Sequence, residues 1–371
     1  MGSVFRRFLL PGLIFQSVII GGGYGTGREL AEFFLAHGAL GGLLGMAVTA
    51  LCWGVILAIA FEFARITKSY NYRAFFMALL GPFWRVFELV YLLIVLLVLS
   101  VLGSAAGEMI AAAFGLPTVF GAIVLLAAIG LLAYFGSRTI ERALAAWSLL
   151  LYATYAVFFV WVAVGSGGDI LATLSQGEAS GAWAFDGLRY AAYNLIAIGA
   201  VLFVLPYLKT RKEALASGFI AGTAGIVPGV LVLLAMLAQY PAIQNEAVPV
   251  LALLQGTTAL WFLVVFQVVL FGTFIETGVG LIHAVNERVA DTFRDRGATL
   301  PDWGRLALAV GLTALAVFLA GAVGIIDLIA QGYGALSYAF LTVVVAPLLT
   351  VGVYRIATSS PNRMEAVNDA G

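Results

Sequence analysis

Long apolar runs separated by short polar connections fill most of the chain. Measured against the ~20 residues that a helix needs to cross a bilayer, they predict ten membrane-spanning helices, at residues 8–37, 40–63, 83–114, 119–135, 141–164, 184–208, 214–238, 258–286, 306–323 and 325–354. The first run is interrupted at its centre: residues 21–29 read GGGYGTGRE, with glycine at five of nine positions. The helix is expected to come apart there, its second half resuming near Thr26 and Gly27. Backbone groups freed inside hydrocarbon are too costly to leave facing lipid, so such a rupture must be buried in protein or line a cavity. It therefore predicts a binding site. Between the runs, residues 165–181 are rich in Gly and Ser and read as a loop or lid, and residues 246–255 as a short re-entrant or interfacial helix. The polar stretch beyond Arg355 has no apolar period and reads as a disordered tail over 356–371, leaving one transmembrane domain over 1–355.

Composition agrees with a polytopic membrane protein. Of 371 residues, 63% are hydrophobic and 10% charged, and the mean hydropathy is +1.06, whereas soluble domains hold about 45–50% apolar residues. The net charge of +0 gives no field that would favour nucleic acid. One cysteine, Cys52, excludes an internal disulfide, and the two histidines, His37 and His283, have no metal-ligand spacing. No cofactor and no enzymatic triad or nucleotide loop is expected. The glycine run is not a dinucleotide fingerprint, because the third position falls on Thr26 or Arg28 and no strand precedes it. Arg6 and Arg7 precede an apolar stretch without a small-residue cleavage pattern, which reads as a retained first helix.

The distribution of charge sets an orientation. All Lys and Arg except Arg28 and Arg189 lie before the first run, after the last, or around connections 2–3, 4–5, 6–7 and 8–9, including Arg65, Arg73, Arg138, Arg211, Arg294 and Arg305. The positive-inside rule then predicts a multi-pass protein of the inner or plasma membrane with both termini in the cytoplasm, which only an even number of spans allows. Asp169, Glu178, Asp186 and Glu246 fall outside.

Ten spans divide as five and five, over about 8–164 and 184–354, and an odd number per half makes the second half inverted. Span 6 should then carry a counterpart of the first rupture. Its midpoint holds Tyr193, Asn194 and Gly199. A mid-membrane asparagine reads as a group hydrogen-bonding backbone or substrate, or as a bridge between two helices. The sequence Gly332-Tyr333-Gly334 could bend span 10.

The rupture followed by LAEFF at 30–34, the stretch FARITKSYNYRAFF at 63–76, the YNLIAIG run of span 6 and FGTFIETGVGLIHAVNERV in span 8 resemble the YkvI-type amino-acid permeases of the amino acid–polyamine–organocation superfamily. The resemblance covers the transmembrane part. It implies the LeuT-type fold, all-α with ten transmembrane helices in a 5+5 inverted repeat, helices 1 and 6 broken, and substrate held between the breaks. It also implies a sodium site between helix 8 and the inner end of the first break. The chain departs from the pattern at Arg28, where a small or amide residue is expected before the acid.

Candidate substrate contacts are Gly21, Gly22, Gly23, Tyr24, Gly25, Thr26, Gly27 and Glu29 at the first break, Ser100 and Ser104 in span 3, and Tyr193, Asn194 and Gly199 in span 6. The amide end of the second half-helix favours an anionic group and the carbonyl end of the first half a cation. Arg28 and Glu32 have the spacing of an intrahelical pair, while Glu29 has no local partner and reads as a cap or a ligand contact. Span 8 carries a small or polar stripe of Thr273, Glu276, Thr277, Gly280 and Ala284 that must face the bundle. Thr273, Glu276 and Thr277 are candidate ion-coupling residues, presenting oxygens to Na⁺ together with Gly21, with Glu276 the alternative proton carrier. Glu62 and Glu88 read as interfacial partners of Arg65 and Arg85, and Asp327 as a helix cap. GxxxG at 41–45 and at 218–222 reads as helix contact within one chain, so a monomer is expected. The function expected is secondary transport of an amino acid or related amine, coupled to Na⁺ or H⁺, with the lipid bilayer and a small solute as partners. The alternative is a receptor or scaffold subunit that binds a ligand without moving it.

Overall fold

The computed structural model describes residues 4–135, 138–257 and 260–359, and among them every regular element is helical. The first run begins with a wide turn, Phe5–Leu9, and continues as α1 (Leu10–Ile19), which starts with Pro11 where its missing N–H is harmless. It ends abruptly. Ile20 leaves helical geometry at φ −78°, ψ 74°, and Gly21 is extended at φ −105°, ψ −154°. The chain then re-forms α2 (Gly22–Thr26), pivots on Gly27 at φ 82°, and enters α3 (Arg28–Phe33). The second half thus resumes at Gly22, earlier than the expected Thr26 and Gly27, because the Gly25 amide donates to Gly21 O at 2.7 Å and closes a turn through the glycines. Gly27 supplies a second bend, in a left-handed conformation that suits glycine.

The next run is α4 (Gly38–Thr67), followed in the 2–3 connection by a short helix that hydropathy alone misses, α5 (Tyr72–Leu80). Asn71 caps it, accepting from the Ala74 amide at 2.8 Å. Then come α6 (Trp84–Phe114), α7 (Thr118–Phe135) and α8 (Arg138–Ser175). The expected loop at 165–181 is a correction: helix continues through Ser175 with a kink at Ser166 (φ −132°, ψ 24°). Burial of Ile170 and Thr173, with the Thr173 hydroxyl donating to Leu237 O at 3.2 Å, overrides the weak local propensity of Gly and Ser.

Span 6 comprises α9 (Trp183–Asn194), a tightened turn at Leu195–Ala197, α10 (Ile198–Val201) and a tight segment Leu202–Tyr207. Its backbone stays in the right-handed helical region through Asn194, Leu195 and Ala197. The expected break is therefore a tightening, because residues 193–198 lack the glycines that ruptured span 1. Then follow α11 (Arg211–Gly225), opened by a Thr210/Glu213 capping box, α12 (Val227–Met236), α13 (Pro249–Thr257), α14 (Leu260–Asp295) and α15 (Asp302–Val323). The expected start of span 8 at Thr258 lies outside the described residues. The short helix anticipated at 246–255 is α13, with Val250, Leu253 and Leu254 buried and Pro249 and Val250 against Gly27. The last segment, Ile325–Thr358, contains wide turns at Leu328–Tyr333, Leu341–Val345 and Leu348–Gly352. Helix runs to Thr358, three residues into the expected tail, while 360–371 lie outside the described residues.

Among the described residues, eight stretches are long and apolar enough to cross a membrane, including Arg28–Thr67, Tyr72–Phe114 and Leu260–Asp295. Span 1 is not one of the eight because its rupture leaves α1 short, and the apolar helix Thr118–Leu132 is also shorter. Leu89, Leu93, Val160, Trp261, Val264 and Phe318 are exposed, as lipid-facing side chains must be. This is a multi-pass membrane protein.

Two packed groups make up the bundle. In one, α4 lies along α11 and α9, and α1 lies on α11. Both GxxxG segments are helix contacts within it: a Cβ at Gly222 would come within 2.3 Å of the Gly54 amide nitrogen, one at Gly218 within 2.5 Å of Ala58 Cα, and Gly45 faces Trp183 O. Thr49 and Trp53 of α4 donate to the carbonyls of Gly187 and Ala191 of α9, at 2.8 and 2.9 Å. In the other group α6, α7, α14 and α15 pack together. Ruptured span 1 runs between the groups, with α2 touching α6, α13 and α14.

Candidate functional site

The Ile20–Gly21 rupture opens onto a cavity of about 1060 Å³. Its inner end is lined by Ser17, Ile19, Gly21 and Glu29 of span 1, Tyr193, Asn194 and Gly199 of span 6, Glu276 and Thr277 of α14, and Tyr333. Its other end is lined by Arg73, Glu287, Asp291, Asp302 and Arg305. Asp302 is exposed, so the cavity opens on the face that carries the basic connections. Pairs Arg7–Glu213 (2.7 Å), Arg305–Glu287 (2.9 Å) and Arg73–Asp295 link those connections on that face.

The opposite side is shut. Phe33, Phe34, Tyr190, Tyr193 and Tyr333 are all buried there, with Phe34 on Tyr190 at 4.7 Å and Tyr193 stacked on Tyr333 at 4.7 Å. Above them Arg28 is 4% exposed. Its guanidinium donates to Gln244 O at 2.5 Å, Glu246 O at 3.1 Å and Glu32 Oε2 at 2.8 Å. The i,i+4 pair expected from sequence is present, and it belongs to this seal. His37 to Asp186 (2.9 Å) and Tyr240 to Glu178 (2.9 Å) close the same side.

Glu29 sits where the rupture, the cavity and the seal meet. α3 delivers it, and its carboxyl folds back over the first turn of α2, where a Cβ on Gly23 would lie 2.2 Å from Glu29 Oε1. The Tyr193 hydroxyl donates to Glu29 Oε2 at 2.7 Å. Gly23 is therefore needed for space. Glu29 both covers the amide end of the half-helix and faces the cavity.

Of the residues expected to bind substrate, the cavity brings together Gly21, Glu29, Tyr193, Asn194 and Gly199, and with them Glu276 and Thr277. Gly21 meets α14 directly, since a Cβ there would lie 3.6 Å from Thr277 Cγ2. Tyr24, Gly25, Thr26 and Gly27 turn away from the cavity. Tyr24 packs on Gly229, Gly25 O accepts from Tyr155 at 2.6 Å, Gly27 faces Val250 and Met236, and the Thr26 hydroxyl donates to Gly23 O at 3.0 Å. Gly22 and Gly23 open α2, with Gly23 beneath Glu29. Ser100, Ser104 and Thr273 are buried outside the cavity lining, with the hydroxyls of Ser100 and Thr273 donating to Leu96 O and Val269 O on their own helices. Asn194 likewise donates to Tyr190 O at 3.0 Å.

Three side chains at the site were not singled out as contacts. Tyr333 comes from the Gly-Tyr-Gly of the last segment, in the wide turn Leu328–Tyr333. Tyr72 and Arg288 line the wide end, where the Arg288 guanidinium lies over the rings of Tyr91 (3.1 Å) and Tyr72 (3.7 Å), a cation–π clamp. Arg288 continues the 276, 280, 284 spacing of the α14 stripe, so one more step along that face reaches it. Glu88, expected beside Arg85, accepts instead from Tyr72, and Asp327 accepts from the Gln331 side chain and makes no cap. Among the described residues no cluster of His, Cys, Asp and Glu has the makings of a metal site. Oxygens of Glu276, Thr277 and the chain around Gly21 are hard donors of the type that suits Na⁺.

No family model matches the chain, and no curated protein matches it. Solved structures do. A Na⁺-coupled sialic acid symporter, captured substrate-bound and outward-open, is similar with a TM-score of 0.64 and 10% identity over 93% of this chain and 78% of that one. The manganese transporter of Eremococcus coleocola is similar with a TM-score of 0.50 and 13% identity over 94% of this chain and 78% of that one. The chain shares the fold of these transporters.

Proposed function

We propose that the protein is a secondary active transporter that moves an amino acid or related amine by alternating access, coupled to Na⁺ or H⁺. The observation that carries this reading is a ruptured helix at the blind end of a deep, one-sided cavity, closed beyond Glu29 by the stacked aromatic residues and the Arg28 contacts. Burying a broken backbone and a carboxylate in the membrane is costly and suits a site that binds something. A cavity open to one side and sealed on the other is one of the two end states that alternating access requires. By charge distribution the open side is the cytoplasm.

In this reading the chain has ten spans in two inverted halves, span 1 pairing with span 6, and a single domain over 1–355. The rupture at Gly21 and the tightened turn at Leu195–Ala197 support that correspondence. Superfamily membership with the YkvI-type permeases fits the same arrangement. Gly21, Glu29, Tyr193, Asn194 and Gly199 contact substrate. Glu276 and Thr277, with backbone at Gly21, hold the coupling ion, which would offset the charge of the half-buried acid. Because Thr273 spends its hydroxyl on Val269 O, Thr277 is the better candidate of the two threonines.

Purified protein in liposomes, given a Na⁺ or proton gradient and a panel of amino acids and amines, should accumulate at least one solute. Absence of flux and of counterflow across the whole panel would overturn transport.

A further inference from the structure

We infer that the substrate is an organic cation, an amine without a carboxylate beside its ammonium group, and that Glu29 is its counter-charge. The inference deepens the transport reading and rests on it for the movement of the solute, but not for its binding.

A free amino acid presents two charges to a site, and each needs a partner. At a ruptured helix, the group that would receive its carboxylate is the amide end of the half-helix after the break. Here the protein's own carboxylate covers that end. Glu29 Oε1 lies over Gly23, in the first turn of α2, so close that no Cβ could stand there. A second carboxylate at the same place would meet Glu29 in a nearly dry environment, where like charges repel strongly.

Among the described residues, no guanidinium or ammonium group lies at the rupture itself to take the place of that partner. Among the described lining residues around the rupture, Glu29 and Glu276 are the ionisable carboxyls, and the arginines lie toward the open end: Arg73 with Asp295, Arg305 with Glu287, Arg288 over two tyrosine rings. Arg28 is committed to Glu32 and two carbonyls beyond the seal. The Asn194 amide donates to its own helix. The lining at this end carries acceptors: the Glu29 carboxylate, and the last turn of α1 at Ser17, where the helix ends and carbonyls lose their amide partners. An ammonium group donates and never accepts, and it fits this set. Tyr193 and Tyr333 add aromatic surface for the apolar body of the amine.

The test uses pairs that differ only by the carboxylate: agmatine with arginine, putrescine with ornithine, phenethylamine with phenylalanine. Thermal shift of the purified full chain reads binding, and counterflow in liposomes reads transport. At least one amine should raise the melting temperature, with its parent amino acid binding at least ~10-fold more weakly, about 1.4 kcal/mol. Glu29→Gln should abolish that shift. Should that variant not fold, the comparison within each pair on the unaltered protein decides alone. Amino acids that bind as tightly as their amines, or a panel in which no amine binds, overturn the inference. Flux of amino acids without amines overturns it and leaves transport standing, whereas amines that bind without counterflow overturn transport and leave the cation site standing.

Discussion

Tyr193 donates to the Glu29 carboxylate at 2.7 Å, joining two residues 164 positions apart in the chain and fixing span 6 to the ruptured half of span 1. The bond lies at the blind end of the cavity and beneath the stack that shuts the far side.

Tyr193→Phe keeps the ring against Tyr333 and removes the donor. A buried acceptor that loses its partner costs about 1–3 kcal/mol, so the variant should unfold at lower temperature in detergent. An unchanged melting point would mean that Glu29 finds another donor.

Gly23→Ala tests the position of Glu29 from the other side. The new Cβ would fall within 2.6 Å of three Glu29 atoms, Cγ among them, so the whole carboxyl end must move. Binding of solute should fall at least ~10-fold while the helix content measured by circular dichroism stays the same, since alanine is a better helix former than glycine. Wild-type affinity in Gly23→Ala would separate the carboxylate's position from recognition.

Much of this site could be read in the sequence, and the parts that could not have physical reasons. The rupture was legible because glycine runs are unstable as membrane helix, and Arg28 with Glu32 because i,i+4 spacing fixes a pair. The roles of Ser100, Thr273 and Asn194 were not legible. A hydroxyl or amide in a membrane helix can satisfy itself on the carbonyl four residues earlier, as all three do here, and sequence does not say which choice is made. Tyr24 to Gly27 were placed in the site by adjacency, whereas the α2 turn and the Gly27 bend rotate them toward Gly229, Tyr155 and Val250. Helix α5 escaped notice because it is short and lies between two hydropathy maxima.

Glu276→Gln tests coupling. Glu276 lines the cavity one residue from Thr277, which touches the rupture at Gly21. The substitution keeps the volume and removes the ionisable group. Gradient-driven uptake should be lost while counterflow, which needs no gradient, persists. Full gradient-driven uptake would remove Glu276 from the coupling role.

Gly222→Leu tests the α4–α11 contact, where a Cβ already meets the Gly54 amide nitrogen and the Trp53 carbonyl carbon at 2.3 Å. Overpacking of a fitted contact costs about 1–3 kcal/mol, and here the obstacle is backbone that cannot rotate aside. Thermal stability should drop sharply, and Gly311→Leu, at a site with nothing within 4 Å, should leave it unchanged. Equal effects at both positions would show that the close approach is not what holds the two helices.

Arg28→Ala should bias the protein toward opening on its sealed side. The guanidinium ties α3 to the carbonyls of Gln244 and Glu246, outside the aromatic stack, and no other described residue makes that link from α3 to both carbonyls. With Cys52 replaced by serine and a cysteine introduced by Phe33→Cys, a membrane-impermeant maleimide added on the sealed side reports exposure of a position that is 2% exposed in the sealed state. Labelling should be faster when Arg28→Ala is added, and solute bound from the open side should slow it, because a ligand shifts the balance only toward the state it binds better. If the rate is the same with and without Arg28, the seal is held by the aromatic stack, and Tyr333→Ala in the same background should then be the change that opens it.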